Sequence, residues 1–118
     1  LYDKQNIVAE LSSAVPAGPP PVPVIPNIHA TIYAAASNPE ALEMSTWHTC
    51  EKTHCRAGWV VTLAGPEGKA LEAFYNTELA AMKIYDASDP NFKINPARFY
   101  DENKRALADM KRLAEGSP

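Results

Sequence analysis

The sequence predicts an all-α protein: a compact bundle of about four to five short helices preceded by an extended proline-rich N-terminal arm. Three observations carry that reading. The chain has 118 residues, enough for one core and an appendage, because a single core is usually built from roughly 100–150 residues. Six of the eleven prolines fall between Pro16 and Pro26, where missing N–H groups and a fixed φ exclude helix and favour a polyproline II path. After Asn27 the apolar residues recur at helical spacing, interrupted by caps and stops. The chain is therefore divided into an arm, residues 1–26, and a helical domain, residues 27–118.

The elements follow in order. "LYDKQNIVAEL" offers only short strand-like runs at Leu1–Tyr2 and Ile7–Leu11, too little to bury for independent folding. In "VPAGPPPVPVIPN" the valines and Ile25 stand where a purely solvated linker would carry Ser, Gly or charge. Such an arm lies along something, either its own domain or a partner; a semi-rigid spacer is the plainer alternative. Asn27 is placed to cap a helix over "IHATIYAAAS", with Ile28, Ile32 and Ala35 on one face. Asn38 before Pro39 predicts a short helix "PEALEM". Thr53 is placed to cap "HCRAGWVVTLA", which Gly65 and Pro66 stop. Gly58 inside it costs about 1 kcal/mol against alanine, so either another backbone passes close by, the favoured reading, or the helix is simply held by its neighbours.

"EGKALEAFY" and "TELAAMKIYDAS" are the next helices, with a break at Asn76–Thr77. Leu71 and Phe74 form one stripe, and Leu79, Met82 and Tyr85 another. "DPNFKINPARF" suits an extended crossover anchored by Phe92, Ile94 and Phe99. "DENKRALADMKRLAE" closes the chain as an amphipathic helix with Ala106, Leu107, Met110, Leu113 and Ala114 on its apolar face. Asp101 is placed to cap it and to face Arg105.

Charge and hydropathy exclude some functions. A net charge of −3 with interspersed signs gives no one-sided field to gather nucleic-acid phosphates. The longest apolar stretch, "AGWVVTLAG", is far short of the roughly 20 residues that span a bilayer, and no signal-peptide succession opens the chain. The expected partner is a protein or larger assembly, not nucleic acid or membrane; the oligomeric state is open.

"WHTCEKTHCRAGW", Trp47 to Trp59, holds both tryptophans and both cysteines. His48, Cys50, His54 and Cys55 are the residue types that bind zinc, but they crowd into eight residues, whereas structural sites draw ligand pairs from two separated segments. His29 is the one additional imidazole, and a lone histidine near a helix start is ordinarily an unremarkable partly buried residue. A Cys50–Cys55 disulfide would close a small ring contributing about 2 kcal/mol. A nucleophilic Cys55 would gain from the helix start, with His48 or His54 as base, but lacks a third group to orient the imidazole. The plainer reading packs Trp47, Cys50, Cys55 and Trp59 together as a corner joining two helices, with Arg56 exposed or paired to a carboxylate. On that reading the cluster performs no catalysis.

"MSTWHTCEKTHCRAGWVVTLAG", with "NIHATIYAAASNPEALEM" before it and "FYDENKRALADMKRLAE" at the end, resembles a family of uncharacterised domains from bacterial and bacteriophage open reading frames. Trp47, Cys50, Thr53, Cys55, Gly58 and Trp59 carry the resemblance. It brings no reaction, ligand or catalytic residue. It implies a bacterial cytoplasmic or phage-virion setting and an accessory or host-interaction role. The expectation is a non-enzymatic interaction module docking through Tyr2, Val22, Val24 and Ile25 of the arm. The alternative is a small zinc-binding or reactive-thiol protein centred on Cys50 and Cys55. A weaker option is that Lys104, Lys111 and Arg112 face an acidic partner, although such a face is usually just solvated.

Overall fold

Pairwise packing of helices organises the molecule. The computed structural model of the chain describes residues 18–116, so the Leu1–Tyr2 and Ile7–Leu11 runs, and Tyr2 as a docking residue, lie outside the described residues. The α-helices are α1 (Ile28–Ala36), α2 (Arg56–Leu63), α3 (Gly65–Phe74), α4 (Thr77–Ser88) and α5 (Asn103–Ala114), with a 3₁₀ turn at Pro96–Tyr100. A two-stranded antiparallel hairpin, β1 (His48–Cys50) and β2 (Thr53–His54), precedes α2. The all-α reading holds, with this small hairpin as its one addition among the described residues.

α1 packs chiefly on α5, and α2 on α4. Ile28 and Ile32 from α1, Val60 and Val61 from α2, Leu71, Ile84, Tyr85, Phe99 and Met110 meet in one core. Ala57 on α2 and Ala80 and Ala81 on α4 are fully buried; such small side chains let two helices approach closely. This corrects the stripe read from sequence: α4 buries Ala80, Ala81, Ile84 and Tyr85, while Leu79 and Phe74 stand exposed. Phe74 packs edge-on against Tyr75 instead.

Several local expectations are met. The break at Asn76–Thr77 falls between α3 and α4 as expected, and the structure adds that Asn76 caps α4, its side chain accepting the Leu79 N–H at 2.8 Å. Ile94 and Phe99 anchor the crossover in the core, and Phe92 packs partly buried against it. A β-carbon on Gly58 would lie 2.0 Å from the Trp47 carbonyl oxygen, so the close approach is real and the passing backbone is the hairpin.

Others are corrected. "PEALEM" forms no helix. The Asn38 amide bonds backward to the carbonyls of Ala34 and Ala35, closing α1. The next residues pair with the hairpin: Glu43 N–H donates to the His54 carbonyl, and His54 N–H to the Ala41 carbonyl, each at 3.1 Å. Those inter-strand bonds satisfy backbone groups that a helix this short would leave mostly unpaired. Thr53 lies in β2, its hydroxyl donating to the Glu40 carbonyl, and Cys55 caps α2 in its place, Sγ accepting the Gly58 N–H at 3.3 Å. Pro66 sits in the first turn of α3, so "GP" starts that helix as well as ending α2. Asn27 precedes α1 in a left-handed conformation without a side-chain cap bond. Glu102, not Asp101, occupies the cap position of α5, and Asp101 meets Arg98 at 3.2 Å.

Candidate functional site

The hairpin register sets the central cluster. His48 pairs opposite His54, which brings the two rings edge to face, with Nδ1 atoms 2.7 Å apart. His54 Nε2 lies 2.9 Å from the Glu51 carbonyl oxygen. That oxygen only accepts, so His54 donates through Nε2 and accepts through Nδ1, and His48 donates through Nδ1. His48 Nε2 is 2.6 Å from Glu72 Oε2, and the same oxygen accepts the Thr77 hydroxyl at 2.7 Å. One chain of hydrogen bonds thus ties the hairpin to α3 and to the start of α4.

Its electrostatics follow from burial. His54 is buried beneath the edge of Trp59; desolvation, reinforced by neighbouring His48, pushes its pKa down and favours the neutral ring. Burial opposes the charge on Glu72, but hydrogen bonds from Thr77 and His48 outweigh it and hold the carboxyl below its usual range.

The sulfurs part company. Both cysteines are free. Cys55 is buried at the start of α2, and desolvation raises its thiol pKa despite the amides of Gly58 and Ala57. The helix start does not make it a ready thiolate, because the burial cost exceeds the gain from the amides. Cys50 is exposed at the hairpin end, where the Thr53 hydroxyl and then the Lys52 amide lower its pKa. It therefore does not join the packed corner expected of Trp47, Cys50, Cys55 and Trp59. Trp59 donates its indole N–H to the Ala41 carbonyl at 2.7 Å, and Trp47 packs edge-on against Tyr100. The corner is thus built of Trp47, His54, Cys55 and Trp59.

His48, Cys50, His54 and Cys55 are not drawn into one ligand set: the imidazoles bond to each other, Cys50 faces solvent and Cys55 turns into α2. Among the described residues no three His, Cys, Asp or Glu side chains are grouped to hold a metal. His29 lies apart, 2.9 Å from Asp89.

Arg56, the residue after Cys55, is completely buried. Its Nη1 donates to Asp109 Oδ2 at 2.7 Å and its Nε to the Tyr85 hydroxyl at 2.9 Å. Burial works against both charges, yet hydrogen bonds from Arg56 and Arg112 hold Asp109 below its ordinary range, and Tyr85, then Asp109, raises Arg56. Asp109 also takes Arg112 at 2.5 Å. This ion pair locks α2 to α5.

The arm residues divide. Ile25, expected to face a partner, is 5% exposed and belongs to the core, and its N–H donates to the Ser88 hydroxyl at 2.9 Å. Val22 and Val24 are exposed, at 38% and 59%. Apolar periodicity could not separate them, because residues 20–25 form neither helix nor strand. Glu72, Thr77, Tyr85 and Asp109 were also missed by sequence reasoning. For Asp109 a signal existed, a carboxylate on the apolar stripe of α5 and an arginine in apolar α2; Glu72 and Thr77 gave none.

No family model, no curated protein and no solved structure matches this chain. The resemblance noted above therefore rests on its motif residues alone.

Proposed function

We propose that this protein is a non-enzymatic interaction module that docks on a larger protein assembly, a phage particle or a host complex, through the proline-rich segment ahead of α1. What supports the reading is the contrast inside that segment: Val22 and Val24 offer apolar side chains to solvent while Ile25, one residue on, is sunk in the core. A proline-restricted chain fixed at its base loses little entropy on binding, and its free valines can fill shallow pockets on a partner. The setting, virion or host, comes from the resemblance. The test is affinity capture with wild type and with a Val22→Asp/Val24→Asp variant whose fold is verified by circular dichroism. A protein captured by wild type and lost with the variant is the expected result; identical captures would defeat the reading.

A second reading is the reactive-thiol or zinc protein, and one observation favours its thiol version: Cys50 is exposed beside a hydroxyl and an amide that stabilise its thiolate. The reactive group would then be Cys50, not Cys55. Selective alkylation of Cys50 near neutral pH supports the thiol version, and elemental analysis of protein purified without chelator decides the zinc version.

A further inference from the structure

Three surface depressions, of about 700, 230 and 480 Å³, meet at Tyr100. Trp47 lines the first two, and Met44 and Ser45 the last two, so together they form one groove. It runs from the α3–α4 junction across the 3₁₀ turn to the start of α5. Tyr100 stands 66% exposed at its centre, braced by Trp47 at a ring separation of 6.0 Å.

The charge along this groove is one-sided. Glu72 and Glu78 line one end, Glu43, Asp101 and Glu102 the other, and Lys69 is the single Lys or Arg among the lining residues. Glu72 is met by His48 and Lys69, and Asp101 by Arg98. Glu43 is held by neutral donors, the N–H and hydroxyl of Ser45 and the Asn103 side chain, and Glu78 by the neutral Tyr100 hydroxyl at 2.5 Å. Among the described residues no cation forms an ion pair with Glu43, Glu78 or Glu102. Three uncompensated carboxylates thus flank an exposed aromatic ring backed by a second.

We propose that this groove binds an arginine-bearing segment of a partner protein. A guanidinium is flat, lies against an aromatic ring and makes two parallel hydrogen bonds to a carboxylate. Carboxylates on both sides of Tyr100, in the two outer depressions, match several cations along one chain better than a single small cation. The inference does not rest on the arm. Ile25 is tied to Ser88 at the far end of α4, about 16 Å along the axis from Thr77 at ~1.5 Å per residue.

The test is an NMR titration of the full chain with a short acetylated peptide of alternating alanine and arginine, beside its glutamate counterpart. The expected result is saturable binding of the arginine peptide alone, with shifts confined to the 43–47, 72–78 and 100–103 segments. A Glu43→Gln/Glu78→Gln/Glu102→Gln variant should bind about tenfold more weakly, since three exposed charge pairs, each modest by itself, are lost together. A Glu67→Gln/Glu115→Gln variant, altered outside the groove, should stay within about twofold. Equal binding of the glutamate peptide, shifts elsewhere, an equal loss in the control variant, or no saturable binding would each overturn the proposal. Since Val22→Asp/Val24→Asp leaves the groove intact, failure of the arm reading and failure of this one are distinguishable.

Discussion

His54 can hold its place only with one ring proton. A second would set two N–H donors against each other across the 2.7 Å between His48 and His54. Its folded-state pKa is lowered from 6.5, so below that value the unfolded chain binds more protons than the native one, and stability rises with pH. The contribution of His54 to stability should therefore be full above about pH 6.5 and be lost as pH drops through the lower folded-state value. A second decline should follow in the carboxylate range, because Glu72 and Asp109 are also shifted downward. Urea titrations across pH 8 to 3 check this, and a His54→Asn variant should lose the upper step alone. Arg56 and Asp109 make a sharper case. Asp109→Ala leaves a buried, unpaired guanidinium and should cost about 3–5 kcal/mol. Replacing both partners, Arg56→Met with Asp109→Leu, should recover most of that loss, because it also removes the buried Nη2, which has no partner. Denaturation midpoints of the two variants decide it.

Two contacts between elements depend on glycine. A β-carbon at Gly58 would meet the Trp47 carbonyl at 2.0 Å, and one at Gly68 the Val61 carbonyl at 2.3 Å. Both obstacles are backbone, so neither can rotate away. Alanine at either site gains about 1 kcal/mol in helix propensity but forces two elements apart, at about 1–3 kcal/mol or more. Gly58→Ala should therefore destabilise the protein and shift the amide signals of the hairpin. Gly68→Ala should destabilise it and leave the hairpin signals in place. Unchanged melting curves for both would show that neither glycine is needed for the close approach of its neighbouring backbone. The Gly58 contact was legible in the sequence, because a glycine inside an apolar helix has few other uses. The Gly68 contact was not, since a glycine two residues after Pro66 reads as part of the turn.

For the whole molecule, the arm and the domain are joined at Ile25. Ile25→Ala should cost about 2 kcal/mol or more, as for a buried aliphatic residue. Val24→Ala, at an exposed site, should stay within about 0.5 kcal/mol. If the two substitutions cost the same by urea titration, the base of the arm is not seated in the core.

Much of the helical domain follows from the sequence. The spacing of Ile28 and Ile32, the break at Asn76–Thr77 and the stripe of Ala106 and Met110 are each legible in a few adjacent residues, because breaks and 3.6-residue periodicity are local physics. "PEALEM" had the same local signals and failed, because the backbone of His54 offered it better hydrogen bonds than its own turn could. The all-α fold class was therefore fixed by the sequence alone. Tertiary structure decided which polar groups meet: Arg56 with Asp109, His48 with Glu72, and the carboxylates around Tyr100. The physical reason is that charge and hydrogen-bond pairing depend on distances of a few ångströms between residues far apart in the chain, and only packing sets those distances.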